Sequence, residues 1–303
     1  MKRGMQRRQD AFSGCHPAVQ FLFFALVLGF AMCLTHPAVL LAALLGGFCY
    51  GWVLYGKNML RGTLLGVLPV LLVTALVNPA FNHQGATILT YLPSGNPLTL
   101  ESILSGVGGG LLLAAVLVWF ACCTRVMTSD KFVYLFGRVI PALSLVLSMT
   151  LRFVPRFRNQ LKTVVQAQKS LGRDPSSGSP LQRLRRGCAV LSILITWALE
   201  SAVDTADSMK SRGYGLPGRT AFSIYRWGRR DKRLMGWCIA CGIYLLLGWW
   251  SGGLAWQYYP TLRGAPLTPG SVSIPLVYLA LCLTPVILQR REERLWNSFQ
   301  SGH

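Results

Sequence analysis

The chain contains few acidic residues and few charges of any kind. Only 10 of its 303 residues are Asp or Glu, against 30 Lys and Arg, and apolar residues make up 52% of the whole. A soluble protein of this length rarely combines so much apolar content with so few acids. The composition therefore argues against a soluble enzyme and favours an integral membrane protein.

The motifs of several enzyme classes are also missing. The sequence has no Gly-rich phosphate-binding loop, no G-x-S-x-G motif, no aspartate-rich diphosphate-binding motif and no H-E-x-x-H pair. Cys122-Cys123 and Cys238-x-x-Cys241 fall in apolar segments without further ligands nearby, so we expect small apolar side chains there rather than a metal or redox site. We predict no catalytic residue, no cofactor and no metal site.

Long apolar runs are abundant, and six of them can cross about 30 Å of hydrocarbon at 1.5 Å per residue. They are Val19–Thr35, Ala38–Tyr55, Gly62–Val77, Ile103–Cys123, Leu234–Trp256 and Val272–Leu288. The basic residues lie almost entirely on one side of these runs, and only Arg263 falls in an outer loop. By the positive-inside rule both termini are cytoplasmic. No A-x-A-like cleavage site follows the first run, so we interpret it as a retained span.

Two further apolar runs, Val139–Leu151 and Cys188–Leu199, offer a competing topology. If both crossed the membrane, the connection between them would lie outside with nine basic residues. These are Arg152, Arg156, Arg158, Lys162, Lys169, Arg173, Arg183, Arg185 and Arg186. That arrangement violates the positive-inside rule, so we keep both runs on the cytoplasmic side. Anionic lipid headgroups and an acidic protein partner then explain the positive charge, and no nucleic acid is needed.

The predicted fold is an all-α integral membrane protein with about six transmembrane helices and a cytoplasmic coupling domain of two long crossed amphipathic helices. Residues 1–123 form a four-span membrane region, 124–233 the coupling domain and 234–303 a two-span membrane region. The multi-pass chain would lie in contact with the lipid bilayer.

Start and stop signals define the two long helices. Pro141 stands at a first helical position, and the helical pattern continues to Gly172, a C-terminal stop signal. Ser179-Pro180 opens the second helix with a cap and a first-turn proline, and Gly213 ends it. Arg212 is therefore presented at the end of the second helix, where its planar guanidinium can bind a carboxylate bidentately.

Three segments of this domain carry a family resemblance. They are Leu151-Arg152-Phe153-Val154-Pro155, Ala167-Gln168-Lys169-Ser170 and Asp207-Ser208-Met209-Lys210-Ser211-Arg212-Gly213-Tyr214. In this order and topology, the chain resembles the transmembrane (T) component of energy-coupling factor transporters, the EcfT/CbiQ family of ABC-type importers. The resemblance covers most of the chain.

This resemblance implies a non-catalytic scaffold. It would couple ATP hydrolysis by two cytoplasmic ABC ATPase subunits to a small substrate-binding membrane subunit that captures a vitamin or a transition-metal ion. In the family the partner subunit determines the cargo, so this chain does not specify it.

The resemblance also implies two ATPase-docking tripeptides of the form X-Arg-X, one at the end of each long helix. The second corresponds to Ser211, Arg212 and Gly213. The first falls on Ser170, Leu171 and Gly172, where Leu171 stands in place of the expected Arg. Arg173 or Lys169 could supply the missing charge, or the matching ATPase groove could differ.

Two alternatives belong to other classes. A membrane-embedded enzyme with a cytoplasmic active site would need clustered acids, and Glu200, Asp204 and Asp207 do share one face of the second helix. Pairing of these acids with the basic first helix is the simpler interpretation. A self-contained channel or carrier would need ionisable residues within its spans, and these segments contain almost none.

Overall fold

The computed structural model describes residues 10–82, 85–91, 97–137, 141–174, 177–216, 225–252, 256–259, 261–264 and 268–300. The chain forms two compact units. The first comprises Met1–Thr128 and Tyr225–His303, and the second comprises Ser129–Ile224.

Helices dominate both units. The α-helices in chain order are α1 Pro17–Cys33, α2 Pro37–Tyr55, α3 Asn58–Gly62, α4 Leu68–Phe81, α5 Leu100–Val126, α6 Ser129–Gly137, α7 Pro141–Ser170, α8 Pro180–Ser211, α9 Arg229–Trp250 and α10 Pro269–Gln300. A π-helical turn, Thr63–Val67, joins α3 to α4. Two antiparallel hairpins complete the described residues, with β1 Ile88–Tyr91 pairing with β2 Pro97–Thr99 and β3 Trp256–Gln257 with β4 Arg263–Gly264.

The first two helices begin with the same four residues, His-Pro-Ala-Val. The Nδ1 atoms of His16 and His36 each accept a hydrogen bond, at 3.2 Å, from the backbone N–H of the alanine two residues later. The proline that follows each histidine occupies a first-turn position where no N–H donor is needed. No role was predicted for these histidines, and the helices start earlier than the predicted spans because of this cap.

The centre of the first unit is built around Trp119 of α5. Its side chain is fully buried, and its indole N–H donates to the carbonyl oxygen of Ala43 at 2.9 Å. Gly47 of α2 faces the same helix, and a Cβ atom there would lie 2.9 Å from Val118. The missing side chain therefore lets α2 approach α5 closely enough for the indole to reach the α2 backbone.

The predicted fold class is confirmed, since the protein is an all-helical membrane protein. Within the described residues, five helices are long and apolar enough to cross a bilayer. These are α2, α5, α8, α9 and α10, and the shorter helices Pro17–Cys33 and Leu65–Phe81 are also apolar.

Two predicted span boundaries are wrong. The span predicted to end at Trp256 ends at Trp250, because the chain turns at Gly252 with φ of +68° and Trp256 belongs to β3. The span predicted from Gly62 is interrupted by the π-helical turn, so that α4 begins only at Leu68.

Candidate docking site at two helix ends

The long helices α7 and α8 are joined by a turn that is tied to α8. Ser179 and Gln182 form the predicted cap as a reciprocal capping box, in which each side chain binds the other residue's backbone N–H. The Arg186 guanidinium donates to the carbonyl oxygens of Asp174 and Ser177, both at 2.9 Å. The end of α7 is therefore held against the first turns of α8.

An aromatic contact fixes the middle of the two helices. The rings of Phe157 on α7 and Trp197 on α8 meet nearly edge to face, with centroids 5.6 Å apart. The guanidinium of Arg156 lies over the Trp197 ring, 5.1 Å from its centroid. These contacts oppose sliding of one helix along the other.

The two helices run in opposite directions. Leu145 and Met149, near the start of α7, line one groove together with Met209 and Arg212, near the end of α8. The end of α7 lies instead beside the α8 residue Arg186. At 1.5 Å per residue, the C-terminal ends of the two helices are about 40 Å apart along α8.

The end of α7 is a Schellman motif. The N–H of Gly172 donates to the carbonyl of Lys169 at 3.0 Å, and the N–H of Arg173 donates to that of Gln168 at 2.9 Å. Gly172 has φ of +73°, the left-handed conformation that this motif requires. The predicted stop at this glycine is confirmed.

The end of α8 repeats the same geometry. The N–H of Gly213 donates to the carbonyl of Lys210 at 3.0 Å, and the N–H of Tyr214 donates to that of Met209 at 3.0 Å. Gly213 has φ of +80°. Both helices thus end in a Lys-Ser-X-Gly sequence with the same backbone hydrogen bonds.

This geometry places Leu171 and Arg212 at equivalent positions, the C-cap of α7 and the C-cap of α8. Leu171 is 69% exposed, and the Arg212 side chain is also exposed. The candidate residues therefore form two separate groups, one at each helix end. The α7 group contains Ser170, Leu171, Gly172 and Arg173, and the α8 group contains Ser211, Arg212 and Gly213.

The α8 end has two further exposed residues that are not among the predicted docking residues. Tyr214 is 46% exposed and Leu216 is 68% exposed. The N–H of Leu216 donates to the carbonyl of Gly213 at 3.3 Å, which turns the chain back beside the helix end. The Gly-Tyr-Gly-Leu sequence after Arg212 was the available signal, since its glycines permit this tight turn.

The groove between α7 and α8 has a volume of about 1050 Å³ and reaches Arg212. Arg152 and Arg156 of α7 line it, as do Glu200 and Asp204 of α8. The predicted pairing of these acids with α7 is wrong, because neither acid takes part in a salt bridge in the described part of the chain. The aromatic ring of Trp197 takes the guanidinium of Arg156 instead.

Metal-ligating residues are dispersed through the described residues. Among these residues no group of three or more His, Cys, Asp or Glu is arranged to hold a metal ion. The nine cysteines are all unpaired thiols.

No family model matches the chain. The curated proteins that it resembles are transmembrane proteins named EcfT. The chain is 28% identical over 233 residues to the energy-coupling factor transporter transmembrane protein EcfT of Bacillus selenitireducens, a match covering 71% of this chain and 84% of the relative. With EcfT of Staphylococcus aureus it shares 26% identity over 204 residues, covering 62% and 74% of the two chains. A stronger local match, 34% identity over 93 residues, covers 30% of this chain and only 34% of EcfT of Lactobacillus helveticus.

The fold is that of a mostly helical membrane protein, and the comparisons show similarity to the transmembrane protein EcfT of energy-coupling factor transporters. The protein is a homologue of the energy-coupling factor transmembrane protein EcfT, which confirms the resemblance drawn from the helix-end motifs.

Proposed function

We propose that this protein is the transmembrane scaffold of an energy-coupling factor importer. It couples ATP hydrolysis by two cytoplasmic ATPases to uptake of a vitamin or transition-metal ion through a small substrate-binding membrane subunit. The supporting observation is that α7 and α8 end with the same backbone hydrogen bonds, point away from each other and offer one docking position to each ATPase.

The α8 end is suited to an acidic groove on an ATPase. The backbone carbonyls of its last turn are already bonded within the Schellman motif, so the terminus does not need to rearrange when a partner binds. The Arg212 guanidinium makes no hydrogen bond or ion pair within the described residues. It can therefore bind a carboxylate bidentately. Tyr214 and Leu216 add apolar surface beside it.

The α7 end presents different chemistry on the same backbone. Leu171 offers an apolar side chain where Arg212 offers a charge, and exposed Arg173 follows at the position that Tyr214 occupies on α8. The two ends therefore fit two ATPase grooves that differ, one acidic at its centre and one apolar with an acidic edge. Two distinct ATPases account for this difference best.

Membrane topology is part of the proposal. Although α8 is long and apolar enough to span a bilayer, crossing by α7 and α8 would move nine basic residues outside. We therefore place α7 and α8 on the cytoplasmic side with both termini. In a variant that retains only Cys188 as its thiol, a membrane-impermeant maleimide should label inverted vesicles and leave intact cells unlabelled. Labelling from outside would overturn this topology.

Coupling depends on the helix pair moving as one body. The Trp197 contacts with Phe157 and Arg156 resist sliding, so a displacement of either end by an ATPase is passed along both helices. In the mechanism implied by the resemblance, closure of the two ATPases on ATP binding moves both ends, and the helices then displace the substrate-binding subunit.

Co-purification tests the docking residues. Tagged protein from the cells that naturally express it should retain two ATPases, and Arg212→Glu should reduce the ATPase at the α8 end at least tenfold, because a charge-assisted hydrogen bond contributes about 1.5–3 kcal/mol. Leu171→Glu should release the other ATPase. The matched control is Arg158→Glu, which makes the same charge change at an exposed position within α7.

The outcomes separate the candidate functions. If wild-type protein retains no ATPase, the transporter proposal fails and a membrane-embedded enzyme becomes the leading alternative. If Arg158→Glu weakens ATPase retention as much as Arg212→Glu, the effect comes from overall charge and the helix ends are not the docking site.

A further inference from the structure

A second groove lies in the first unit, where α2, α3 and the π-helical turn meet α5. Its volume is about 450 Å³, within the range of about 300–1,000 Å³ that is typical of small-molecule sites. Most of its wall is apolar and includes Met59, Leu117, Val118 and Ala121. It is a defined cleft in the wall of the membrane unit.

Two glycines keep this cleft open. Gly62 ends α3 and Gly66 lies in the π-helical turn, and both line the cleft. A Cβ atom built on either glycine would meet no other atom within 4 Å. These positions therefore border open space, and a Cβ atom at either one meets none of the protein's own atoms.

Three basic residues lie next to residues that line the cleft, although none of the three lines it. Tyr55 lines the cleft, and its hydroxyl donates a hydrogen bond to the carbonyl of Ala121 at 2.8 Å. The guanidinium of Arg125 lies 5.0 Å from the centroid of the Tyr55 ring. Lys57 and Arg61, both exposed, directly precede the lining residues Asn58 and Gly62 in the α2–α3 segment. No Asp or Glu occurs between Asp10 and Glu101, so this connection contains no acid to neutralise them.

We propose that this cleft binds one anionic phospholipid of the cytoplasmic leaflet. An acyl chain fills the apolar part against Gly62 and Gly66, and the phosphate lies among Lys57, Arg61 and Arg125. The charges select this occupant: the cytoplasmic leaflet carries the anionic lipids, and the positive-inside rule assigns the α2–α3 connection to that face. An apolar partner helix would leave the three basic groups without counter-charge.

This inference rests on the membrane orientation and does not depend on the ATPases. It can therefore stand if the ATPase-docking proposal fails, and it can fail while docking stands.

Native mass spectrometry of the full-length protein tests the site. The protein is extracted from nanodiscs of phosphatidylcholine containing phosphatidylglycerol, and the lipids that remain bound are counted. Wild type should retain one phosphatidylglycerol in preference to phosphatidylcholine. The double variant Arg61→Gln with Arg125→Gln should weaken this retention by about 25-fold, at about fivefold for each basic residue near the headgroup.

Filling the cleft with a larger side chain tests the lipid site more specifically than removing the charges. Gly66→Leu should abolish retention of the lipid while leaving the charges in place. Gly29→Leu is the matched control, since Gly29 is an exposed α1 glycine whose built Cβ also meets nothing within 4 Å. Arg290→Gln controls for loss of an exposed charge elsewhere. Thermal melting in lipid-free detergent verifies that each variant folds.

Equal retention by wild type, Gly66→Leu and the double variant would overturn the proposal and identify the lipid as adventitious. Unchanged lipid retention combined with loss of a co-purifying membrane subunit in Gly66→Leu would also overturn it, because the cleft would then hold a partner helix.

Discussion

The matched ends of α7 and α8 allow one substitution to be compared at two equivalent sites. We predict that Gly213→Ala and Gly172→Ala both loosen their helix ends, and that Gly213→Ala does so more strongly. Each glycine has a positive φ, +80° at Gly213 and +73° at Gly172, which a residue with a Cβ atom adopts only at a cost.

The size of the effect follows from the local geometry. A left-handed conformation costs a residue with a Cβ atom about 1–2 kcal/mol relative to glycine. At Gly213 the new Cβ would also lie 3.1 Å from the Leu216 side chain, whereas at Gly172 it meets nothing within 4 Å. We therefore expect the upper part of this range for Gly213→Ala and the lower part for Gly172→Ala, equivalent to about 30-fold and about 5-fold changes in the local opening equilibrium.

Hydrogen exchange measures this opening directly. The reporter amides are Tyr214, bonded to Met209 in the α8 motif, and Arg173, bonded to Gln168 in the α7 motif. Exchange of each amide should accelerate by these factors in its own variant and remain unchanged in the other. Asparagine tolerates the left-handed conformation, so Gly213→Asn should exchange at nearly the wild-type rate.

A uniform acceleration across both helix ends in either variant would refute the reasoning, because it would indicate loss of the whole α7–α8 packing. Wild-type exchange at Tyr214 in Gly213→Ala would show that the Schellman motif does not hold this terminus.

Two further predictions concern contacts elsewhere. Replacing Trp197 with Leu removes both the ring contact with Phe157 and the cation–π contact with Arg156, so the free energy of unfolding of the helix pair should fall by about 1–2.5 kcal/mol, measured by denaturant titration in detergent. An unchanged midpoint would show that these contacts contribute nothing. Burial raises the pKa of Asp10, although the hydrogen bond from Tyr50 at 2.6 Å lowers it in part. Because the folded pKa lies above the unfolded value, this carboxyl stabilises the fold at low pH, and that contribution is lost as the pH rises from about 4 through the raised pKa. Asp10→Asn should therefore flatten the decline of the melting temperature over this range, and a parallel decline in both proteins would contradict the assignment.

The limits of α7 and α8 were predicted well from the sequence because they are set by local chemistry. Ser179 and Gln182 form a capping box, and Gly172 and Gly213 adopt left-handed conformations. Both features depend only on residues a few positions away. Helix ends of this kind can be read from short motifs without knowledge of the tertiary fold.

The membrane unit was harder to predict where apolar composition alone marked the helices. The second half of Leu234–Trp256 is mostly apolar, yet the helix ends at Trp250 and Trp256 belongs to β3. Hydropathy does not distinguish a helix from a hairpin of Trp and Tyr residues at its end. The repeated His-Pro-Ala-Val sequence was a usable signal for the starts of α1 and α2, but only when histidine is considered as a helix cap.

Pairing between α7 and α8 could not be predicted from charge. The acids of α8 and the arginines of α7 suggested ion pairs, but a planar aromatic ring competes well for a guanidinium when the helices meet at Trp197. The group that an arginine side chain binds depends on the relative rotation of the two helices. That rotation is fixed by packing over their whole length.

The shared backbone of the two helix ends has a consequence for how an asymmetric assembly is oriented. Because the backbone hydrogen bonds are the same and the two glycine φ angles are similar, the orientation of the proposed complex depends on the residues that differ between the ends, chiefly Leu171 and Arg212. Exchange of these two side chains should leave both termini intact and reverse which ATPase binds at which end. Two exposed side chains, each at the end of its own helix, would then determine which ATPase binds on which side of the proposed importer.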